Sequence, residues 1–370
     1  MNVKKIGLKA ILMILVILIA IIAGYVLYVV LQYSRIDDNK KLDITNNEST
    51  AIQYLEKGTE YTAVTYNIGF GAYSPSYSFF MDTGVMNDGT AVRGKYGRAY
   101  DANEVIKNTE GAIDEIKKLK PTFALLQEVD TNSTRSYDIN QVDMICDAFS
   151  EKAYNFAINF HSSYLMLPLN DPHGIANAGL LTLSDVKIDN AIRKSYPVSE
   201  AFPDKYLDLD RCFSVTYIKV DNNKTLSLIN SHMSAYDKGG LVRIEQLALL
   251  NSYVREEYEK GNYVIVGGDF NHALGSDVAN AFDGQMQFPS WVKILDDKDL
   301  DDCISIVKAD NQFDVSTCRS SDLPWVKGVN FTTVVDGFLV SDNVEAKSSN
   351  IKNDYSFSDH QPVLLNFILK

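Results

Sequence analysis

Thiols are scarce in this chain. Four cysteines, Cys146, Cys212, Cys303 and Cys318, are spread over 370 residues. None stands in a C-x-x-C pair, which excludes the common structural zinc modules, and four are too few to staple a domain of this size. Cys303 and Cys318 bracket a short loop and are the one couple that an oxidising exterior could join. A G-x-S-x-G turn and a Cys/His signature are also missing, so neither a serine nor a thiol nucleophile is expected. Basic stretches with interleaved aromatics, which a strand-tracking groove would need, are absent as well. Positive charge is in deficit overall. The formal charge is −13, and more negative once Lys4, Lys5 and Lys9 near the amino terminus are set aside. Phosphate backbones and anionic lipid surfaces repel such a body on average, so a polyanionic substrate would need a local cationic patch or metal ions.

Long apolar runs are equally rare, with one exception. Ala10 to Leu31, AILMILVILIAIIAGYVLYVVL, is 22 residues without a charge, enough to cross the hydrocarbon core as a helix. The three lysines before it favour a cytoplasmic amino terminus, residues 1–9, although Arg35, Lys40 and Lys41 follow it closely. A cleaved signal peptide would have a shorter apolar region and an A-x-A site, which is absent near Leu31. An uncleaved anchor over 10–32 is the expectation. Residues 33–60 are polar and aperiodic, as a tether should be. No repeat, low-complexity tract or second linker divides residues 61–370, which read as one domain.

Within that domain YTAVTYNI (61–68), FALLQEVD (123–130), GLLTLS (179–184), FSVTYIKV (213–220), LSLINSHM (226–233), YVIVGGDFN (263–271), TVVDGFLVS (333–341) and PVLLNFIL (362–369) read as strands. Helical spacing runs from about Asn103 to Leu119, where Pro121 follows, and from Leu241 to Glu259 before Gly261. Alternating strands and helices with some hairpins predict mixed sheets covered by helices.

Five strands finish in groups suited to chemistry. TYN gives Asn67, QE gives Glu128, NSH gives His232, GDFN gives Asp269 and Asn271, and SDH gives Asp359 and His360. Hard oxygen donors suit Mg²⁺, Mn²⁺ or Ca²⁺, and two histidines provide an acid and a base near neutral pH. Residues i and i+2 of a strand share a face, so Asp269 and Asn271 point together. Each residue also has a plainer reading. Asn67 could cap a loop, Glu128 could form a strand-end ion pair, Asp336 could satisfy a turn, and His232 could be a packed ring.

The ordered set TYN, QE, NSH, GDFN, VVDGFLVS and SDH resembles the endonuclease/exonuclease/phosphatase superfamily, over about residues 61–370. That superfamily includes deoxyribonuclease I, exonuclease III-type repair nucleases, neutral sphingomyelinases and inositol polyphosphate 5-phosphatases. The resemblance implies a four-layer α/β sandwich of two packed mixed sheets, with the site at one edge. It implies Asn67, Glu128 and Asp359 at a metal site for Mg²⁺, with Mn²⁺ as an alternative. Asp269 would orient or activate the attacking water, Asn271 would bind the scissile phosphate, and His360 would act as base or transition-state partner. Asp336 would orient His360, and His232 would assist the leaving oxygen. Asn177 and Arg211 are candidate phosphate contacts. For Arg211 an ion pair with Asp208 or Asp210 is an equal alternative, and Arg135, Tyr137, His161 and His173 are weaker candidates.

A membrane-anchored, extracytoplasmic phosphohydrolase follows, most simply a phosphodiesterase acting on a phospholipid head group or small phosphodiester. A nuclease for extracellular DNA or RNA is a close rival. A catalytically silent module that binds a phosphorylated ligand is a third reading, which the full set of ionisable site residues disfavours.

Overall fold

The computed structural model describes residues 3–370 apart from 202–204, 206–209, 236–240 and 290. It opens with helix α1, Val3–Gln32. From Gly7 to Gln32 this helix is long and apolar enough to cross a membrane, with a mean hydropathy of 3.1. An apolar surface on every side cannot be covered by one packing face, and the apolar stretch of α1 stays unburied.

Among the described residues two large sheets form. One runs, edge to edge, through Lys40–Lys41, Ile188–Ser195, Cys212–Lys219, Thr225–His232, Tyr263–Asp269, Asp336–Ser341 and Ile304–Ile306. The other runs through Val344–Asn350, Val363–Leu369, Glu60–Asn67, Phe123–Asp130, Asn177–Ser184 and Ala153–His161. Each is mixed, with one parallel pair at its centre. Between them lies an apolar layer that includes Leu125, Leu180, Leu228, Ile265, Phe338 and Phe367. Helices α2, Ala102–Leu119, and α3, Gln141–Ala148, cover the outer face of the second sheet, and α4, Leu241–Glu259, covers the first. The order is helix, sheet, sheet, helix, the four-layer sandwich expected.

Local chemistry explains the boundaries. Helix α2 begins where the Asp101 carboxylate accepts from Glu104 N–H at 2.9 Å, and it buries Val105, Ala112, Ile113 and Ile116. It ends at Lys120 in the left-handed region, immediately before Pro121. Polar bridges cross the mainly apolar layer between the sheets, one from Asn155 Nδ2 to Thr216 Oγ1 at 2.8 Å and one nearer the strand ends. Gln127 Nε2 donates to Asn230 Oδ1 at 2.8 Å, and Asn230 Nδ2 donates to the Leu126 and Leu181 carbonyls at 3.2 Å.

Two expectations change. The polar stretch 33–60 is not a loose tether. Leu42 and Leu55 enter the core between the sheets, and Lys40–Lys41 pairs antiparallel with Ile188–Ser195. Leu42 and Leu55 pack while Ile52 and Tyr54 stay exposed, so no periodic signal marks the stretch. The pairing that the sequence left open for Cys303 and Cys318 is not made; all four cysteines are free and buried. The last long strands also differ in length, because Thr332–Thr333 pairs with Cys318–Arg319 before the Asp336–Ser341 strand begins.

The packed stretch carries a direct consequence. Leu55→Ala is expected to cost about 2–5 kcal/mol, the usual range for a fully buried leucine. Urea denaturation of the two proteins measures it, and an unchanged midpoint would restore the loose tether.

Candidate active site

The site is built first from strand register. His232 stands directly opposite Asp269 across the parallel pair, and Asp269 stands directly opposite Asp336 across the antiparallel pair. Residues opposite one another share a face about 5 Å apart, so three ionisable groups form one row. The strands approach closely here. A Cβ on Gly268 would lie 1.9 Å from the Ser231 carbonyl oxygen, so only glycine fits.

Around that row the contacts converge on one oxygen. Asp269 Oδ2 accepts from Asn67 Nδ2 at 3.0 Å and lies 3.5 Å from His232 Nε2 and 3.7 Å from His360 Nε2. His360 comes from the loop before the final strand, and its Nδ1–H donates to Asp336 Oδ2 at 2.8 Å. The second sheet supplies the other half. Glu128 has φ +53°, at a point where the ladder to the neighbouring strand slips between Leu126 and Val129. A bulge of this kind re-aims a side chain. Asn67 Nδ2 also donates to Glu128 Oε1 at 3.3 Å, which links the two sheets through one amide.

Asp359 closes the group. Its carboxylate accepts from Ser321 Oγ at 3.1 Å, and Ser358 Oγ donates to the Asn67 carbonyl at 2.8 Å. Arg135 Nη2 lies 3.9 Å from Glu128 Oε2 while the same guanidinium forms a fork with Asp130, at 2.8 and 3.0 Å. Asn271, at φ +50°, donates from its backbone N–H to Asp269 Oδ1 at 2.8 Å and from Nδ2 to the Met233 carbonyl at 2.9 Å.

Electrostatics divides the groups. Burial lifts the Asp269 carboxyl above its usual range, against the pull of the His360 charge. Burial also lifts Glu128, opposed by the Arg135 charge and reinforced by the neighbouring Asp359. Burial pushes His232 well below an ordinary histidine, helped by the positive charges of Arg211, His360 and Arg135. For His360 burial acts the same way but is outweighed by the Asp336 and Asp269 carboxylates, which hold it well above its ordinary value. One histidine is kept neutral and the other charged, a separation suited to acid–base work.

A sequence model of the Endonuclease/Exonuclease/phosphatase family matches residues 64–360. The chain belongs to that family. As a member it is a metal-dependent phosphoric ester hydrolase. No curated protein sequence matches it. Among solved structures it is similar to an endonuclease/exonuclease/phosphatase from Beutenbergia cavernae DSM 12333, at 13% identity and TM-score 0.54, over 84% of this chain and 72% of that one. It is also similar to ANGEL2, a 2′,3′-cyclic phosphatase in complex with adenosine-2′,3′-vanadate, at 14% identity and TM-score 0.52, over 89% and 99%. Caenorhabditis elegans TDP2, at 14% identity and TM-score 0.50, matches over 84% and 99%. At these identities the likeness is one of fold.

Of the residues singled out in the sequence, Asn67, Glu128, His232, Asp269, Asn271, Asp336, Asp359 and His360 gather at this edge. Asn67 stands at the junction of the two sheets. Its Oδ1 accepts from Gly69 N–H at 3.0 Å, and its Nδ2 braces Glu128 and Asp269. Arg211 lies near enough for its charge to act on Glu128 and His232. Asp210 is engaged by Arg35 and His161, and Asp208 lies outside the described residues. The Asn177 amide donates to the Asn132 carbonyl at 2.7 Å. Arg135 is a buried brace, and Tyr137 donates to the Tyr100 carbonyl at 2.9 Å. His173 is buried, its Nδ1 donating to the Gly97 carbonyl at 2.5 Å. Gln127 and Asn230 were missed as functional supports, although a polar residue inside an apolar strand was the available signal.

Bracing by Asn67 has a measurable weight. Asn67→Ala is expected to weaken Mn²⁺ binding by about 10–100-fold, the usual effect of losing a group that orients ligands. Calorimetric titration checks it, and unchanged affinity would reduce Asn67 to a loop cap.

Proposed function

We propose that the protein is a membrane-anchored, Mg²⁺-dependent phosphodiesterase whose catalytic domain lies outside the cytoplasm. One observation carries the reading. Two repelling carboxylates, Glu128 and Asp359, stand beside an Asp269 that faces one neutral and one charged histidine. Converging hard oxygen donors whose mutual repulsion a cation would relieve fit a divalent metal held by Glu128 and Asp359. Asp269, Asp336 and His360 also have ligand atoms within 4.8 Å of one another. There the Asp336–His360 hydrogen bond already uses one donor from each, which favours acid–base service over ligation. A bound cation would neutralise non-bridging phosphate oxygens and thereby lower the barrier. Mn²⁺ would satisfy the same donors.

The residues divide the remaining work. Asp269 orients a water molecule whose oxygen bonds to phosphorus as one ester P–O bond breaks. Asn271 and Arg211 hold the phosphate, with Asn177 as an outer contact. Charged His360, oriented by Asp336, stabilises the developing negative charge. The proton that the water loses passes to Asp269 and, through His232 at 3.5 Å, to the leaving oxygen. The lysines before α1 support a cytoplasmic amino terminus, with the domain beginning near residue 33, because residues from Leu42 onward already pack in its core. A nuclease is the second reading, favoured by the fold likeness to Danio rerio TDP2 solved with a single-strand DNA product, at 13% identity and TM-score 0.50, over 84% of this chain and 99% of that one.

The decisive assay offers the full-length protein, with Mg²⁺ or Mn²⁺, plasmid DNA, sphingomyelin, phosphoinositides and a chromogenic phosphodiester. Metal-stimulated release from a phosphodiester is expected, and no turnover on any of them would leave only a silent binding module. Glu128→Gln should abolish the metal-stimulated rate while leaving the circular dichroism spectrum unchanged. An unaltered rate across a Mg²⁺ titration would remove Glu128 from the ligand set.

His360→Ala and Asp336→Ala should each lower kcat by about 10²–10⁴-fold, the range for a positioned acid–base group. The double variant should be scarcely slower than His360→Ala, because residues acting as one unit are not additive. Multiplicative losses would separate the two.

A further inference from the structure

Helix α1 is not joined to the domain by covalent continuity alone. Near its carboxyl end, Tyr25 Oη donates to the Tyr164 carbonyl at 3.1 Å and accepts from Met166 N–H at 3.2 Å, while Tyr28 Oη accepts from Tyr164 N–H at 3.2 Å. Two membrane-helix tyrosines are thus stitched to the backbone of one loop. The exit of the helix is fixed as well. Arg35 Nε and Ile36 N–H both reach the Asp210 carboxylate, at 3.1 and 2.8 Å, and His161 pairs with the same buried group.

That loop carries an apolar tip. Its base is closed by reciprocal backbone bonds between Leu165 and Gly174, at 3.0 and 2.9 Å. Between them Met166, Leu167 and Leu169 are 41%, 61% and 77% exposed. Leu169 is the most exposed large apolar side chain among the described residues. Tyrosine rings settle at the boundary between hydrocarbon and water. From Ala10, the start of the charge-free run, to Tyr28 the helix rises about 27 Å, close to the thickness of the hydrocarbon core. The tyrosines therefore mark the outer boundary, and the loop bonded to them lies at that depth.

The other side of the loop belongs to the catalytic edge. Thr134 N–H donates to the Ile175 carbonyl at 2.7 Å, and the next residue, Arg135, faces Glu128 at 3.9 Å. Asp171 pairs with Arg98 at 2.7 Å and accepts from Gly97 N–H at 3.1 Å, which fixes the loop to the wall. Net charge offers no attraction to an anionic surface, so seating on lipid must come from these apolar side chains.

We propose that residues 164–169 form a lip inserted in the outer leaflet, so that the cleft beside Glu128 opens onto the bilayer surface and takes the phosphodiester of a phospholipid head group. The inference rests on the phosphodiesterase reading for its substrate, but not for the position of the lip.

Full-length protein in phosphatidylcholine vesicles tests both parts. The native cysteines are buried, so Leu169→Cys can be labelled alone with a bimane fluorophore. Tyr54→Cys, exposed at the opposite end of the domain, is the control; the bridge from Leu55 to Val220 marks that end. The Leu169 label should be quenched by doxyl lipids at least twofold more than the control, and shielded from iodide. Equal iodide quenching at both positions would overturn the lip. A Leu167→Ser, Leu169→Ser double variant should hydrolyse soluble bis(4-nitrophenyl) phosphate within twofold of the parent but phosphatidylcholine vesicles at least tenfold more slowly. Unaltered lipid turnover, or equal loss on both substrates, would overturn the lipid-facing cleft. A parent inactive on both substrates with Mg²⁺ and Mn²⁺ would overturn the phosphodiesterase reading and the lipid substrate together, while the quenching result decides the lip by itself.

Discussion

Close approach of two parallel strands is the constraint from which the site follows. Gly268 allows the Tyr263–Asp269 strand to lie against Ser231, and the register so fixed sets His232, Asp269 and Asp336 in one row. A register slip of one residue would turn all of that strand's side chains to the opposite face. Asp269 would then face the apolar layer beneath α4, and no local adjustment could restore it. The geometry of the acid–base groups is therefore a property of the sheet, and the loops only complete it.

The second sheet has to meet that row with its own ligands. Two devices accomplish this. The Gln127–Asn230 bridge couples the sheets below the site, where an apolar layer alone would permit sliding. The bulge at Glu128 then turns a carboxylate that regular pleating would direct elsewhere. A glutamate at φ +53° is strained by about 1–3 kcal/mol, a cost typical of functional positions held by their surroundings. The Asn67 amide spans the gap and contacts a carboxylate of each sheet. What results is a site whose two halves are each rigid and are joined by few atoms.

Mixed sheets covered by helices were legible in the sequence, as were strand ends bearing Asn, Glu, His and Asp; the four layers and the gathering at one edge followed only from the family resemblance that those motifs carry. Several features were not. The strands Ile188–Ser195 and Val344–Asn350, polar at alternate or successive positions, were not read as strands, since each is only partly buried and takes its order from its neighbour. Residues 33–60 look like a tether because Leu42 and Leu55 are isolated apolar residues, and only tertiary contact reveals their burial. Arg135 lies in a segment that reads as a solvated loop, yet its guanidinium stacks 4.0 Å over the Phe70 ring and forks onto Asp130. The part played by Asn67 was invisible for a different reason. Residue type gives an amide's capacity, but only hydrogen-bond partners say whether its oxygen or its nitrogen faces the ligands.

The central claim is that acid–base groups and metal ligands are separate within one cleft, the former on the strand row and the latter on Glu128 and Asp359. Anomalous diffraction from crystals soaked in Mn²⁺ measures this directly. The account predicts a peak bounded by the Glu128 and Asp359 carboxylates, with the Asp336–His360 hydrogen bond intact. A peak bounded instead by Asp269, Asp336 and His360, with that hydrogen bond broken, would contradict it.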